Sequence, residues 1–361
     1  MPGPGPAASK DRTLLVYMAG DNNNLAAETE AKINAIAQGW RNTYSANLLI
    51  YQDIGTPRLL QVVTESGQTV IKTIREFPAE NSASPAVFNR VITDVLTNEN
   101  YKAKRYGMLI FSHATGWLPG LSYHDPMAIP VKSVLRDGNQ VMELTDFATA
   151  IPDKKFDVIA FETCLMGGVE AAYELRNKAD YLVVSPAEII SPGFTPYYSR
   201  MIGFLLQPTA NPEGFAMEYF NSIMQISGYR QTATMCVVKT VEIDALAAII
   251  RRITANGTTV TYADDIQHFD SSLGDRDPHW RLFFDFGVWV RLQATASQYA
   301  EFEAQMARAL PLRKATDWFL PGHVDGFPMT DFSGLTTYIE QPQYPYLNEE
   351  YRKLSWYRAI H

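Results

Sequence analysis

Five short runs of apolar, largely β-branched residues, separated by stretches of helical spacing, restrict this chain more than any other feature. They are TLLVYMAG (13–20), NLLIYQD (47–53), YGMLIFSH (106–113), FDVIAFETC (156–164) and YLVVSPAE (181–188). A strand that is apolar on both sides must be covered on both sides, which is the condition of a strand inside a parallel sheet. NLAAETEAKINAIAQGW after the first run, PAVFNRVITDVL before the third and GGVEAAYEL after the fourth carry helical periodicity. The alternation predicts an α/β fold: a mostly parallel sheet with helices on both faces.

One insertion breaks the alternation. RLLQVVTESGQTVIKTIREF alternates apolar and polar positions around a Ser-Gly turn and reads as a β-hairpin added to the sheet. Beyond about residue 200 the pattern becomes more helical and aromatic, with EGFAMEYFNSIMQI, DALAAIIRRIT and FGVWVRLQATASQYAEFEAQMARAL. It also holds a strand-like TATMCVVKTV and closes with a strand at SGLTTYIEQP. The expected organisation is a flexible leader (1–11), an α/β core (12–200) and a C-terminal part (201–361) packed on that core as one unit.

Composition narrows the function classes. A net charge of −8 with no basic tract argues against nucleic acid as a partner. No apolar run approaches the roughly 18 residues that span a bilayer. The opening MPGPGPAASKD lacks the apolar core of an export signal. Two cysteines, Cys164 and Cys236, are too few for a disulfide framework, so their surroundings must assign them. Cys236, in TMCVVKTV, has only apolar neighbours and is expected to be an inert core thiol. His124, His268, His279 and His323 lack metal-ligand spacing, and no metal site is expected. Read as a calcium loop, the run from Asp21 would put Ala26 where Gly is needed and Lys32 where Glu is needed, which excludes that geometry.

In open parallel sheets, ligands bind beyond the carboxyl ends of the strands. His113 ends one run and Cys164 another, so both emerge at one rim. A thiol followed by a helix start, beside an imidazole, has the makings of a nucleophile and its base. Glu162 lies two residues before Cys164 and so faces the same side of its strand. A carboxylate in so apolar a strand needs a partner. That partner could be a basic side chain of a bound peptide or an internal arginine of the second half. Glu188, ending the next run, is a second candidate acid for the same pocket.

These residues carry a family likeness. With LLVYMAGDNNNL (14–25), IFSHATGW (110–117), FDVIAFETCLMGGVEAAYEL (156–175), SPGF (191–194) and GLTTYIEQP (334–342), the chain resembles the clostripain family of cysteine peptidases, in the wider caspase-like group with gingipains and legumain. The resemblance implies a caspase-like fold and an endopeptidase with Cys164 as nucleophile and His113 as its dyad partner. It implies an oxyanion held by the backbone N–H groups of Cys164 and Ala114, and a cleft lined by Trp117 and Phe194. Glu162 would stand where the family commonly has Asp, in a pocket accepting Arg or Lys, and Ala114 where it usually has Gly. A basic peptide or protein is then the expected substrate.

The resemblance further implies a precursor cut within HDPMAIPVKSVLRDGNQ, where Lys132 and Arg136 are the candidate self-cleavage sites, and a secreted or cell-surface bacterial protein. The chemistry requires no cofactor, while calcium stays open by resemblance. Two other functions stay in view. The departures at Ala114 and Glu162 suit a non-catalytic peptide-binding protein, and an acyl-enzyme can also pass its acyl group to an amine.

Overall fold

The computed structural model describes residues 9–20, 25–119, 134–258, 260–261, 265–271 and 281–361. Strand β1 (Lys10–Ala19) shows how the sheet is covered. Its Leu14, Val16 and Met18 enter one buried cluster, while Leu15, Tyr17 and Ala19 enter another on the opposite face. Helix α1 (Ala26–Gln38) follows on the first of these faces, and β2 (Ala46–Asp53) pairs parallel to β1. The hairpin β3 (Arg58–Glu65) and β4 (Gln68–Glu76) then extends the sheet antiparallel from β2. Its turn residues Ser66 and Gly67 both have positive φ, as the twist of a tight hairpin demands.

Helix α2 (Pro85–Thr97) crosses the second face to β5 (Ala103–Phe111), which pairs parallel to the other side of β1. A small hairpin, β6 (Leu135–Asp137) and β7 (Gln140–Met142), leads to α3 (Leu144–Ala150). Next come β8 (Phe156–Glu162), α4 (Val169–Glu174) and β9 (Ala179–Val184), with β8 parallel to β5 and β9 parallel to β8. Helices α5 (Tyr198–Leu206) and α6 (Pro212–Ile223) join α1 on the first face. Residue 200 therefore lies inside a helix.

The C-terminal part continues the sheet. Strand β10 (Thr234–Lys239) pairs antiparallel to β9, followed by α7 (Ile243–Thr254), β11 (Phe284–Asp285), α8 (Phe286–Arg291) and α9 (Ala296–Ala309). Strand β12 (Leu312–Ala315) pairs with β10 and completes a nine-stranded sheet in the order β12-β10-β9-β8-β5-β1-β2-β3-β4. The short hairpin β13 (Trp318–Phe319) and β14 (Phe327–Pro328) precedes β15 (Thr336–Thr337), with α10 (Pro345–Lys353) and α11 (Ser355–Ile360) closing the chain. The strand expected across SGLTTYIEQP shrinks to β15, which pairs with β11 outside the main sheet.

The fold is thus the expected α/β sandwich, five parallel strands at its centre and antiparallel strands at both edges. All five of the sequence's apolar runs become those parallel strands.

Candidate active site

Phe111 and Glu162 are register partners at the carboxyl ends of β5 and β8. His113 lies two residues beyond the first and Cys164 two residues beyond the second, so the parallel register brings the two to the same height above the sheet. Both are half-buried and line one cleft. Among the described residues its walls come from four segments: Leu25, Glu28 and Lys32 of the α1 approach, Phe111 to His113, Glu162 to Cys164, and Ile189, Ser191 and Gly193 after β9. Each follows the carboxyl end of a parallel strand, which is where the topology puts a site.

The turn after Cys164 is tightly specified. Leu165 has φ +62°, a region that costs a non-glycine residue about 1–2 kcal/mol. Backbone hydrogen bonds hold it: Leu165 N–H donates to Ala187 O (3.2 Å), Gly167 N–H to Ser185 O (2.9 Å), and Thr336 N–H to Gly167 O (2.9 Å). Gly116, three residues after His113 and at φ +61°, packs so closely that a Cβ there would sit 2.5 Å from Leu165 O. The two loops bearing His113 and Cys164 are therefore fitted against each other.

The Cys164 sulfur accepts a hydrogen bond from Ile189 N–H at 3.4 Å. Burial nevertheless pushes its thiol up to about 11; the Ile189 N–H opposes that rise and the Glu162 charge adds to it. In this conformation the thiol keeps its proton at neutral pH.

Glu162 has found its partner inside the protein. Lys32 Nζ lies 2.7 Å from Glu162 Oε1, which also accepts Phe194 N–H at 2.6 Å, while Tyr198 OH donates to Oε2. Lys32 also donates to Thr195 Oγ1 (2.7 Å) and Pro192 O (3.2 Å), and rests 4.4 Å from the centre of the Phe111 ring. Of the two alternatives the partner is internal, but it is a lysine of α1 in place of an arginine of the second half, and no substrate cation is needed to balance Glu162. A signal for this existed. Lys32 falls on the apolar stripe of α1 with Thr29, Ile33 and Ile36, where a cation can stay only if paired. The chain approaches closely here, for a Cβ on Gly193 (φ +59°) would lie 2.4 Å from Glu162 Oε1.

Glu28 was not singled out in the sequence, yet it lines the cleft, 3.7 Å from Lys32 Nζ and 2.5 Å from the Ser191 hydroxyl that donates to it. Glu188 lies elsewhere: it takes a hydrogen bond from Ser271 Oγ at 2.6 Å and is not among the cleft-lining residues. Two aromatics expected in the cleft are core residues. Trp117 packs against the adjoining rings of Tyr338 and Tyr351, and Phe194 against Tyr198, Phe215 and Tyr219, because both faces of this sheet demand large apolar side chains.

Ala114 is buried beside His113, and Cys236 is fully buried with its thiol pushed up by burial. His268 packs against Phe327, and His323 lies near Asp325, both outside the cleft. Arg136 is not on an exposed loop but within β6, its N–H bonded to Ser112 Oγ at 2.9 Å and its Nε to Gly138 O at 2.8 Å. A peptide bond engaged in a hairpin is a poor target for cleavage. Lys132, His124, His279 and the Asp21–Asn24 run lie outside the described residues.

Comparison with known proteins agrees with this fold. The model of the clostripain family matches residues 16–304. The structure of an inactive zymogen C11 protease from Parabacteroides distasonis is similar with a TM-score of 0.84 at 30% identity, covering 98% of this chain and 99% of that one. A secreted C11 cysteine protease from Bacteroides thetaiotaomicron, solved with an irreversible peptide inhibitor, gives a TM-score of 0.81 at 27% identity over 97% and 99%. Clostripain of Hathewaya histolytica is 23% identical over 217 residues, 51% of this chain. That match spans only 40% of the curated relative's length.

Proposed function

From the premise that this chain belongs to the clostripain family, we propose that it is a cysteine endopeptidase working through a His113–Cys164 dyad. The observation that carries the reading is the equal placement of the two residues beyond register-paired strand ends, in one cleft. His113 accepts the Cys164 proton, and the thiolate attacks the peptide carbonyl. The oxyanion rests against the N–H groups of Cys164 and Ala114, donors each worth about 3 kcal/mol. His113 then gives its proton to the departing amine, and water resolves the thioester.

Cleavage after Arg or Lys is the proposed preference. In its support, among the described residues the ionisable side chains of the cleft other than the dyad are Glu28, Glu162 and Lys32, a surplus of one acid. With Glu162 committed to Lys32 and almost wholly buried, the half-buried Glu28 is the more exposed carboxylate and the proposed partner of a substrate cation. The chemistry calls on no cofactor. A secreted location is proposed on the likeness to the secreted Bacteroides protease.

A second reading is a non-catalytic peptide-binding protein, since burial pushes the Cys164 thiol up and so disfavours the thiolate that the dyad requires. Fluorogenic peptides ending in Arg, Lys, Ala or Asp separate the two, offered to the intact chain, Cys164→Ala and Glu28→Gln, before and after limited proteolysis. Turnover after Arg or Lys that is lost in Cys164→Ala supports the dyad, and a basic preference weakened tenfold in Glu28→Gln supports the pocket. Absence of turnover in every form rejects the peptidase.

A further inference from the structure

Helix α4 begins four residues after Leu165, and its second residue, Glu170, is 1% exposed with no role in the chemistry above. Its Oε1 accepts hydrogen bonds from Tyr338 N–H and from Thr337 Oγ1, each at 2.9 Å. Its Oε2 has no hydrogen-bond partner among the described residues, and neither has the buried hydroxyl of Thr336. Both of these atoms face Gly168, where an added Cβ would meet Glu170 Oε2 at 2.9 Å and Thr336 Oγ1 at 3.6 Å. Thr336 in turn donates its N–H to Gly167 O. One carboxyl group thus fixes the strand that grips the turn behind Cys164.

We propose that Glu170 is a positioning residue, clamping the Cys164 turn to the C-terminal segment 336–338 so that the thiol is held at the cleft. The inference rests on the dyad reading for its catalytic consequence, but not for the clamp itself.

What disfavours the charged form is burial without a counter-ion, since the carboxyl is 1% exposed and its bonds come from neutral donors. Burial raises the Glu170 carboxyl to about 7, against the hydrogen bonds from the Tyr338 N–H, its own backbone N–H and the Thr337 hydroxyl. Among the described residues, the ionisable side chain that Glu170 acts on from another element is Tyr351 of α10, itself pushed far up by burial. No Lys, Arg or His among the described residues contributes to its shift. On its own helix, Glu174 is occupied by the Ser355 N–H and hydroxyl. The clamp therefore weakens as pH rises through about 7, and glutamine, which keeps the accepting oxygen, mimics its closed form.

The test compares the intact chain with Glu170→Gln and Glu170→Leu by amide hydrogen exchange at pH 5.5 and 8, read together with peptide turnover. In Glu170→Leu, protection at Leu165, Gly167, Thr336 and Tyr338 is expected to drop at least tenfold while β1 and β5 stay protected. In Glu170→Gln it should match the parent at pH 5.5 and exceed it at pH 8. Turnover should follow, with kcat lowered at least tenfold in the leucine variant, KM within twofold, and kcat restored within threefold by glutamine. Unchanged protection, or a loss spread over the whole sheet, overturns the proposal. Should the leucine variant not fold, identical exchange of glutamine variant and parent at both pH values overturns it. If the parent shows no turnover, the peptidase reading fails and the exchange result still decides the clamp.

Discussion

Lys32 Nζ lies 2.7 Å from Glu162 Oε1, with both side chains almost wholly buried beneath the rim that carries His113 and Cys164. A first helix and a central strand, 130 residues apart in the chain, are joined here by one ion pair. Its satisfaction is nearly complete, since Lys32 has three further oxygen neighbours and Glu162 two further donors. Such a pair need not add stability relative to an apolar contact, but half of it cannot stand alone.

Lys32→Met should therefore cost about 3–5 kcal/mol by leaving the Glu162 charge buried and uncompensated. Lys32→Met with Glu162→Leu should recover much of that loss. Urea unfolding of the two single variants and the double variant measures the coupling. A single-variant loss below about 1 kcal/mol, or strictly additive effects, would contradict the structure.

The Cys164 thiol, pushed up to about 11, sets the pH dependence of its reactivity. Only the thiolate is nucleophilic, and at pH 7 about one thiol in ten thousand is ionised under that condition. Alkylation of Cys164 in the intact chain by iodoacetamide, with Cys164→Ala as the blank, should keep accelerating from pH 7 to beyond pH 10. A plateau already below pH 8 would mean that His113 holds a thiolate–imidazolium pair in the resting protein.

The parallel core was legible because strands covered on both faces are apolar at every position, as Leu48, Leu49, Ile50 and Tyr51 are in β2. His113 and Cys164 were legible as strand-end residues, since the carboxyl rim is where a parallel sheet leaves side chains free. That Glu162 needed a counter-ion could also be read, but which one could not: the pairing with Lys32 depends on how α1 packs across the sheet. Trp117 and Phe194 misled for a related reason, because an aromatic near a rim can point either to the cleft or to the core. The membership of β10 and β12 in the main sheet was not apparent, as antiparallel strands towards the edge of a sheet have no signature separating them from a satellite hairpin.

Gly116→Ala tests whether the His113 and Cys164 loops are mutually fitted. The added methyl would require φ +61° of an alanine and would meet Leu165 O at 2.5 Å. The control is Gly67→Ala in the β3–β4 turn, with φ +82° and nothing within 4 Å. The control should lose about 1–2 kcal/mol from backbone strain alone. Gly116→Ala should lose more and also lower peptide turnover, because relief of the contact separates the loops. Equal losses in thermal or urea unfolding would show that the contact is slack.

Glu170 gives a stability prediction whose sign follows from linkage. Burial raises its carboxyl from 4.5 to about 7 in the folded chain. Below pH 4.5 both folded and unfolded chains bind this proton, and no pH dependence arises from it. Between 4.5 and about 7 the unfolded chain releases the proton and the folded chain keeps it, so stability falls as pH rises; above 7 the loss is complete. Its size is on the order of 3 kcal/mol. Glu170→Gln removes the titration while leaving every other carboxylate in place. The stability of the parent relative to Glu170→Gln, from urea unfolding at pH 4.5, 6 and 8, should thus decline steadily across that range. A difference that does not change with pH would show that Glu170 titrates in the folded chain as it does in the unfolded one, its hydrogen bonds offsetting burial.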